Sequence, residues 1–241
     1  MEWTDEGIVL SARKHGETSA VVNLLTQEHG RHAGLVRGGV GRRLRGVLQP
    51  GNRVSARWRA RLPEHLGSLT CEQTHAVAAT MLDDGNRLAA LSAACTIVEA
   101  SLPERQPHGG TFERLAVLLA ALEHGEAWTA TYVRWERDLL ADLGFGLDLS
   151  RCAATGRSDH LAYVSPRTGR AVSLSAGEPY RGKLLPLPGL LIDDQADGDM
   201  KSAVQGLDIT GHFLERNVFA HLKGRLPAAR RRLAGRLRNS A

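Results

Sequence analysis

The segment that most restricts the fold is Arg53-Val54-Ser55-Ala56-Arg57-Trp58-Arg59-Ala60-Arg61. Its residues alternate with period two, and along an extended strand successive side chains point to opposite faces. Val54, Ala56, Trp58 and Ala60 share a face that can enter a barrel core. Arg53, Ser55, Arg57, Arg59 and Arg61 share the other. Around this strand, residues 1–80 read as five short strands divided by turn residues. Gly7–Leu10, Ala20–Leu25 and His32–Val36 are apolar or β-branched runs, and Glu28-His29-Gly30-Arg31 is a tight turn. Gly38-Gly39-Val40-Gly41 is expected to interrupt regular structure, with the basic segment Arg42-Arg43-Leu44-Arg45 behind it. Leu48-Gln49-Pro50-Gly51-Asn52 supplies the turn before the arginine strand. Strands and turns at this spacing predict a small β-barrel or sandwich.

Same-face arginines on such a strand lie about 7 Å apart, close to the spacing of phosphates along a nucleic-acid strand. The charge around them is segregated. Residues 31–61 hold nine arginines (Arg31, Arg37, Arg42, Arg43, Arg45, Arg53, Arg57, Arg59 and Arg61) and no acid. Residues 216–241 hold eight basic residues and again no acid. The other 184 residues carry 14 basic and all 26 acidic groups, a local net of −12 inside a total of +5. Two basic blocks on an acidic body predict a polyanion partner. The plainer readings are a solvated surface and an arginine-guarded edge strand that resists sheet-to-sheet aggregation. Four arginines next to a Gly-Arg loop exceed what edge protection needs. Arg37, Arg42, Arg43, Arg45, Arg53, Arg57, Arg59 and Arg61 are therefore the candidate nucleic-acid contacts.

From residue 84 the periodicity becomes helical. Leu88, Leu91, Cys95, Val98 and Leu102 recur at spacings of three and four, as do Leu115, Leu118, Leu119 and Leu122. Pro103, Pro107 and Gly109-Gly110 separate these helices. A third helix from Trp128 to Leu143 carries Tyr132, Trp135, Leu139 and Leu143 as an inward stripe and stops at Gly144. Residues 145–190 are irregular, with a hairpin from Leu161–Val164 across Pro166-Arg167-Thr168-Gly169 to Ala171–Leu174. The acidic run Asp193–Asp199 lacks the terminal Glu of a calcium loop and reads as a linker. A helical block from Lys201 to His221 and a basic tail over Leu226–Leu237 complete the chain.

No catalytic constellation survives inspection, so the chain is not expected to be an enzyme. The glycine loop lacks the Gly-Lys-Ser/Thr ending of a phosphate loop, and neither Gly-x-Ser-x-Gly nor His-Glu-x-x-His occurs. His29 and His32 read as turn residues, and Asp83-Asp84 as a helix N-cap region. Three separated cysteines exclude a disulfide framework and fit a reducing compartment. The acidic start Met1–Glu6 is not a signal peptide, and no apolar run reaches the roughly 18 residues of a membrane helix. The expected location is cytoplasmic, with the nucleoid, and no membrane partner.

Beside these readings, the chain resembles the RecO family of bacterial recombination mediators. The resemblance rests on Asp5-Glu6-Gly7-Ile8-Val9-Leu10, His15-Gly16-Glu17, Leu25-Thr26-Gln27-Glu28-His29-Gly30, Gly34-Leu35-Val36-Arg37-Gly38-Gly39 and Leu48-Gln49-Pro50-Gly51-Asn52. Further on it rests on Leu102-Pro103-Glu104-Arg105, Leu140–Leu149 and Leu184-Leu185-Pro186-Leu187-Pro188. It implies an α+β chain with an N-terminal OB-fold barrel over residues 1–80 and a helical domain over 81–241. A zinc-finger-like insertion falls at about 145–190. It implies binding of single- and double-stranded DNA, annealing of complementary strands, and work with RecR to load the recombinase. It also implies contact with the acidic C-terminal tail of single-strand-binding protein. For that tail, Arg134, Arg137 and Arg151 beside the Tyr132–Trp135–Leu139 stripe are one candidate site, and Arg230, Arg231 and Arg232 the other. The sequence departs from the family's zinc pattern: Cys152 remains, whereas Thr155, Ser173 and Ala176 stand where thiolates are needed. No metal or other cofactor is expected, and Tyr163 and Val172 are expected to help hold the hairpin. An OB-type RNA-binding or ribosome-associated factor, an adaptor for acidic tails and a phosphoryl-transfer enzyme are the rival readings.

Overall fold

The structure, a computed structural model, describes residues 1–125, 127–196, 198–220 and 225–240. Strands β1 (Glu2–His15), β2 (Ser19–Thr26), β3 (Gly30–Val36), β4 (Arg53–Arg59) and β5 (Ser68–His75) close a barrel in the order β1-β2-β3-β5-β4. This is the five-stranded arrangement of an OB barrel. Strand β1 is longer than its apolar run Gly7–Leu10 predicts, because it serves two neighbours. Glu2–Ile8 pairs with β4 and Gly7–His15 with β2, and the register shifts between Val9 and Ser11. A bulge at such a point bends a strand and re-aims it. The extended ends are mostly polar and give no apolar signal.

Val9, Val22, Leu24, Val54, Ala56, Trp58 and Leu69 fill the barrel, as the alternation in β4 requires, with Ala60 partly buried at its margin. The Trp58 indole N–H donates to the carbonyl of Leu66 at 2.9 Å, which satisfies the one polar atom of a buried ring. Gly34 admits close packing at the barrel's centre, since a Cβ there would lie 2.7 Å from that of Leu69. The glycine run makes a turn, but the basic segment behind it does not stay irregular: Arg42–Val47 forms a short helix, α1.

Helices α2 (Gly85–Ser101) and α3 (Gly109–His124) follow the predicted stripes, although Gly109-Gly110 opens α3 rather than preceding it. Asp84 caps α2 by accepting from the N–H groups of Asn86 and Arg87. Glu99 of α2 accepts from Ser11, Arg13 and Asn23 of the barrel, and Arg31 donates to the carbonyl of Leu102 at 2.8 Å. These bonds bind α2 to β1, β2 and β3. Two compact units result. One holds residues 1–125 with 227–230, and the remainder forms the other.

In the second unit, α4 (Trp128–Asp142) buries Tyr132, Trp135, Leu139 and Leu140, while Leu143 caps the helix instead of continuing the stripe. It packs on α6 (Met200–Phe213), where Gly206 leaves room for Val133 and the buried Glu136 accepts from Thr210 at 2.5 Å. The predicted hairpin is present as β6 (Leu161–Val164) and β7 (Ala171–Ser173), with β8 (Leu185–Pro186) added beside β6. The short α5 (Leu174–Gly177) follows β7. Past α6 the chain makes a π-helical turn at Leu214–Val218, and His221 lies outside the described residues. The basic tail is a helix, α7 (Ala228–Arg238), with Leu233 and Leu237 buried. Among the described residues no helix is long and apolar enough to cross a membrane.

Candidate nucleic-acid interface

Strand β4 pairs with β1 on one side and β5 on the other, so it is not an edge, and edge protection does not explain its arginines. Arg57 and Arg59 are exposed and Arg53 is half-buried, on the face opposite Val54, Ala56 and Trp58. Arg61 lies just beyond the strand and is exposed. What the local sequence hid is the charge of the flanking strands. Glu2 of β1 pairs with Arg59 in register and Glu6 with Ser55, while Glu72 of β5 lies opposite Ser55 from the other side. The Arg57 guanidinium forms a salt bridge with Glu2, and Arg53 reaches Glu6 at 2.9 Å. The hydrogen bond and charge of Arg57 hold the Glu2 carboxyl below the usual carboxylate range. Three arginines and three carboxylates thus share a face that looked purely basic in sequence.

The other cations on the barrel are set differently. Arg37 follows β3, and Arg42, Arg43 and Arg45 lie on or at the start of α1; all four are exposed. Helix α1 has no acid in its first turn. A groove of about 660 Å³ runs beside it, lined among others by Arg13 and Lys14 from β1, Gly39 and Val40 from the glycine turn, and Arg45. Arg13 bonds Glu99 at 2.9 Å yet keeps 72% of its side chain exposed. The groove therefore combines backbone at a glycine turn, which admits close approach, with converging cations able to neutralise phosphates. Arg13 and Lys14 were not among the expected contacts. Only the long β1, which carries them past the apolar run, brings them to Arg45.

Near the start of β1 the rings are packed among themselves. Trp3 is stacked on His29 at 4.3 Å between centroids and on Trp58 at 5.7 Å. His32, which opens the predicted strand run His32–Val36 and also reads as a turn residue, is a buried residue of β3 that meets both tryptophans edge-on, with no partner on either ring nitrogen among the described residues. Burial, the Arg105 charge and His29 push its pKa down to about 4. His29 does lie in the turn, held by Asp5 at 2.9 Å.

Outside the barrel the candidate arginines separate. Arg134 donates to the carbonyls of Leu190, Asp193 and Ala196, and Arg137 to that of Leu191 and to the carboxylates of Asp138 and Asp194. Both are mostly buried, and they hold the acidic 193–196 loop in place. Arg151 is exposed. Of the consecutive arginines on α7, Arg230 is buried while Arg231 and Arg232 are exposed. A separate pocket of about 190 Å³ is lined by Phe145, Leu147 and Phe213 together with Arg167, Arg216 and Asn217.

The first 77 residues match the family model "Recombination protein O N terminal", and residues 82–226 match "Recombination protein O C terminal". A DNA repair protein RecO of Rhodospirillum centenum is 58% identical over 100% of this chain and 96% of its own. That of Caulobacter vibrioides (strain NA1000 / CB15N) is 54% identical over 98% of both chains. That of Rhodospirillum rubrum is 51% identical over 99% of this chain and 97% of its own. The chain belongs to the RecO family.

The zinc knuckle that the RecO resemblance implies can be tested against the residues present. The N–H of Ser173 donates to the Cys152 sulfur at 3.2 Å. Burial pulls the Cys152 thiol up, but hydrogen bonds from Ser173 and Thr155 outweigh it and bring it down to about 6. The knuckle positions thus converge, but they offer one thiolate and two hydroxyls where a structural zinc takes four Cys or His ligands. Among the described residues no group of three or more His, Cys, Asp or Glu is placed to hold a metal. The residues do not fit zinc. In this RecO-family chain Tyr163 lies opposite Val172, its ring fills the space above Gly177, and the paired hairpin residues Val164 and Ala171 are buried.

Proposed function

We propose that the chain is a non-catalytic mediator of DNA repair and recombination that binds single- and double-stranded DNA with little sequence preference and anneals complementary strands. The observation that carries this reading is the groove beside α1, where Arg13, Lys14 and Arg45 converge next to exposed Arg37, Arg42 and Arg43. Cations placed along two phosphate backbones release counterions and screen the repulsion between strands, so that bases can meet. The barrel's tryptophans are occupied by each other and by histidine rings, so base stacking contributes little and affinity is electrostatic. Arg53, Arg57, Arg59 and Arg61 form a second, partly neutralised part of the interface.

The partners implied by the family are RecR, for loading the recombinase, and the acidic tail of single-strand-binding protein. A tail that ends in an apolar residue needs an apolar pocket beside a cation. The Phe145–Leu147–Phe213 pocket with Arg167 at its rim meets that requirement better than Arg134 and Arg137, whose donors are used within the unit. Arg151, Arg231 and Arg232 are free to add long-range attraction, whereas Arg230 is buried. Annealing of two labelled complementary strands tests the main reading: the protein accelerates it at low salt, and an unaccelerated rate refutes it. Competition with single-stranded RNA then distinguishes a DNA mediator from an RNA-binding factor.

A further inference from the structure

We infer that Glu2 and Glu6 are built-in competitors of DNA phosphate for the β4 arginines, and so set how weakly this face of the barrel holds DNA. The inference rests on the DNA-binding reading above and adds a role for two carboxylates that otherwise oppose it. Viewed across the three strands, the outward rows are Glu2–Arg59–Ser68, Thr4–Arg57–Thr70 and Glu6–Ser55–Glu72. The two outward carboxylates of β1 each reach diagonally to an arginine: Glu2 to Arg57, and Glu6 to Arg53 at 2.9 Å. Such diagonal neighbours on adjacent strands lie within reach of long side chains.

A purely structural pair would be expected to shield its atoms, but these four side chains remain 36–65% exposed. Exposed pairs of this kind contribute little to stability, so their loss costs the fold little. They nevertheless occupy the guanidinium edges that a phosphate would use, and the match between a carboxylate and a phosphate is close: both accept two parallel N–H donors. DNA must therefore displace Glu2 and Glu6 before Arg57 and Arg53 can engage it. The groove beside α1 is less opposed: its helix has no acid in the first turn, and Glu99, which pairs with Arg13, leaves that side chain 72% exposed. One barrel thus presents a more open basic surface and a second that binds against closer internal competition. Contacts of that kind dissociate readily, which suits a protein that must hand its strand on.

The test is a double-mutant comparison on the full chain, with anisotropy of a labelled random-sequence duplex across a salt series. Wild type, E2Q/E6Q, R53A/R57A and the fourfold variant are compared, with thermal melts as a fold control. E2Q/E6Q is expected to bind about 2–20-fold tighter at low salt, from the typical contribution of two exposed pairs. Its log–log salt slope is expected to steepen by about 1–2, one phosphate contact for each freed arginine. In the R53A/R57A background the same Glu→Gln changes are expected to alter affinity less than about twofold, because the arginines they release are absent. An undiminished gain in that background means general charge attraction and overturns the inference, as does no gain in wild type. If wild type binds with a salt slope that falls on removing Arg42, Arg43 and Arg45 while E2Q/E6Q changes nothing, only this inference fails. If wild type shows no salt-dependent binding, the DNA reading fails with it.

Discussion

His32 makes the barrel's stability depend on pH in a direction that can be worked out. Its ring is 5% exposed, meets Trp3 and Trp58 edge-on, and lies near Arg105 and His29, with no partner on either nitrogen. The native pKa is about 4, against 6.5 for the free side chain. Between these values the unfolded chain binds the proton and the native one does not, so stability rises with pH. The contribution is fully present above pH 6.5, is lost as pH falls toward 4, and stays level below that. The difference corresponds to about 3 kcal/mol in total, and about 2–3 kcal/mol between pH 7 and pH 4.5. The perturbation is His32→Leu, which fills a similar space with nothing to protonate. Urea unfolding of wild type and H32L at pH 7 and pH 4.5 reads the effect. The variant is expected to match or exceed wild type at pH 7, since two unpaired buried nitrogens are gone. It should lose about 2–3 kcal/mol less than wild type on acidification, with carboxylate titration common to both and cancelling. Equal pH dependence in the two proteins refutes the reasoning.

Other consequences follow from the same structure. Arg134→Ala removes donors from the part-buried carbonyls of Leu190 and Ala196 and from that of exposed Asp193, and should destabilise the second unit by about 1–3 kcal/mol, measured by denaturant unfolding. Protein purified without chelator should hold no stoichiometric zinc by elemental analysis, because the knuckle offers one thiolate; about one zinc per chain would contradict the assignment. Substituting Arg167 and Phe213 together should weaken an acidic peptide with an apolar C-terminus at least tenfold by titration, while Arg231 and Arg232 to Ala should matter only at low salt.

The parts of this fold that are local in sequence were readable from it. Strand β4 shows its two faces by alternation, α3 shows its stripe at Leu115, Leu118, Leu119 and Leu122, and Asp84 stands where a cap belongs. What escaped was whatever depends on pairing between distant segments. The polar ends of β1 carry no apolar period, so neither its length nor the delivery of Arg13 and Lys14 to the α1 groove could be seen. The acid-free block is acid-free only along the chain: Glu2 and Glu6 join it through the β1–β4 register. Arg134 and Arg137 looked available because nothing nearby in sequence claims them, but their acceptors include carbonyls more than fifty residues away. His32 stands at the start of the legible run His32–Val36, but nothing local shows that barrel closure buries it against Trp3 and Trp58.

If exposed cations beside α1 hold DNA by its phosphates, removing them changes how its affinity depends on salt. The direct measurement is the salt dependence of DNA affinity for wild type and for Arg42, Arg43 and Arg45 changed together to Ala. If each of these arginines neutralises a phosphate of duplex DNA, the log–log slope falls by about 2–3 in the variant, with affinity reduced similarly across unrelated sequences. A slope unchanged within about half a unit, in a variant whose melt matches wild type, would contradict the account.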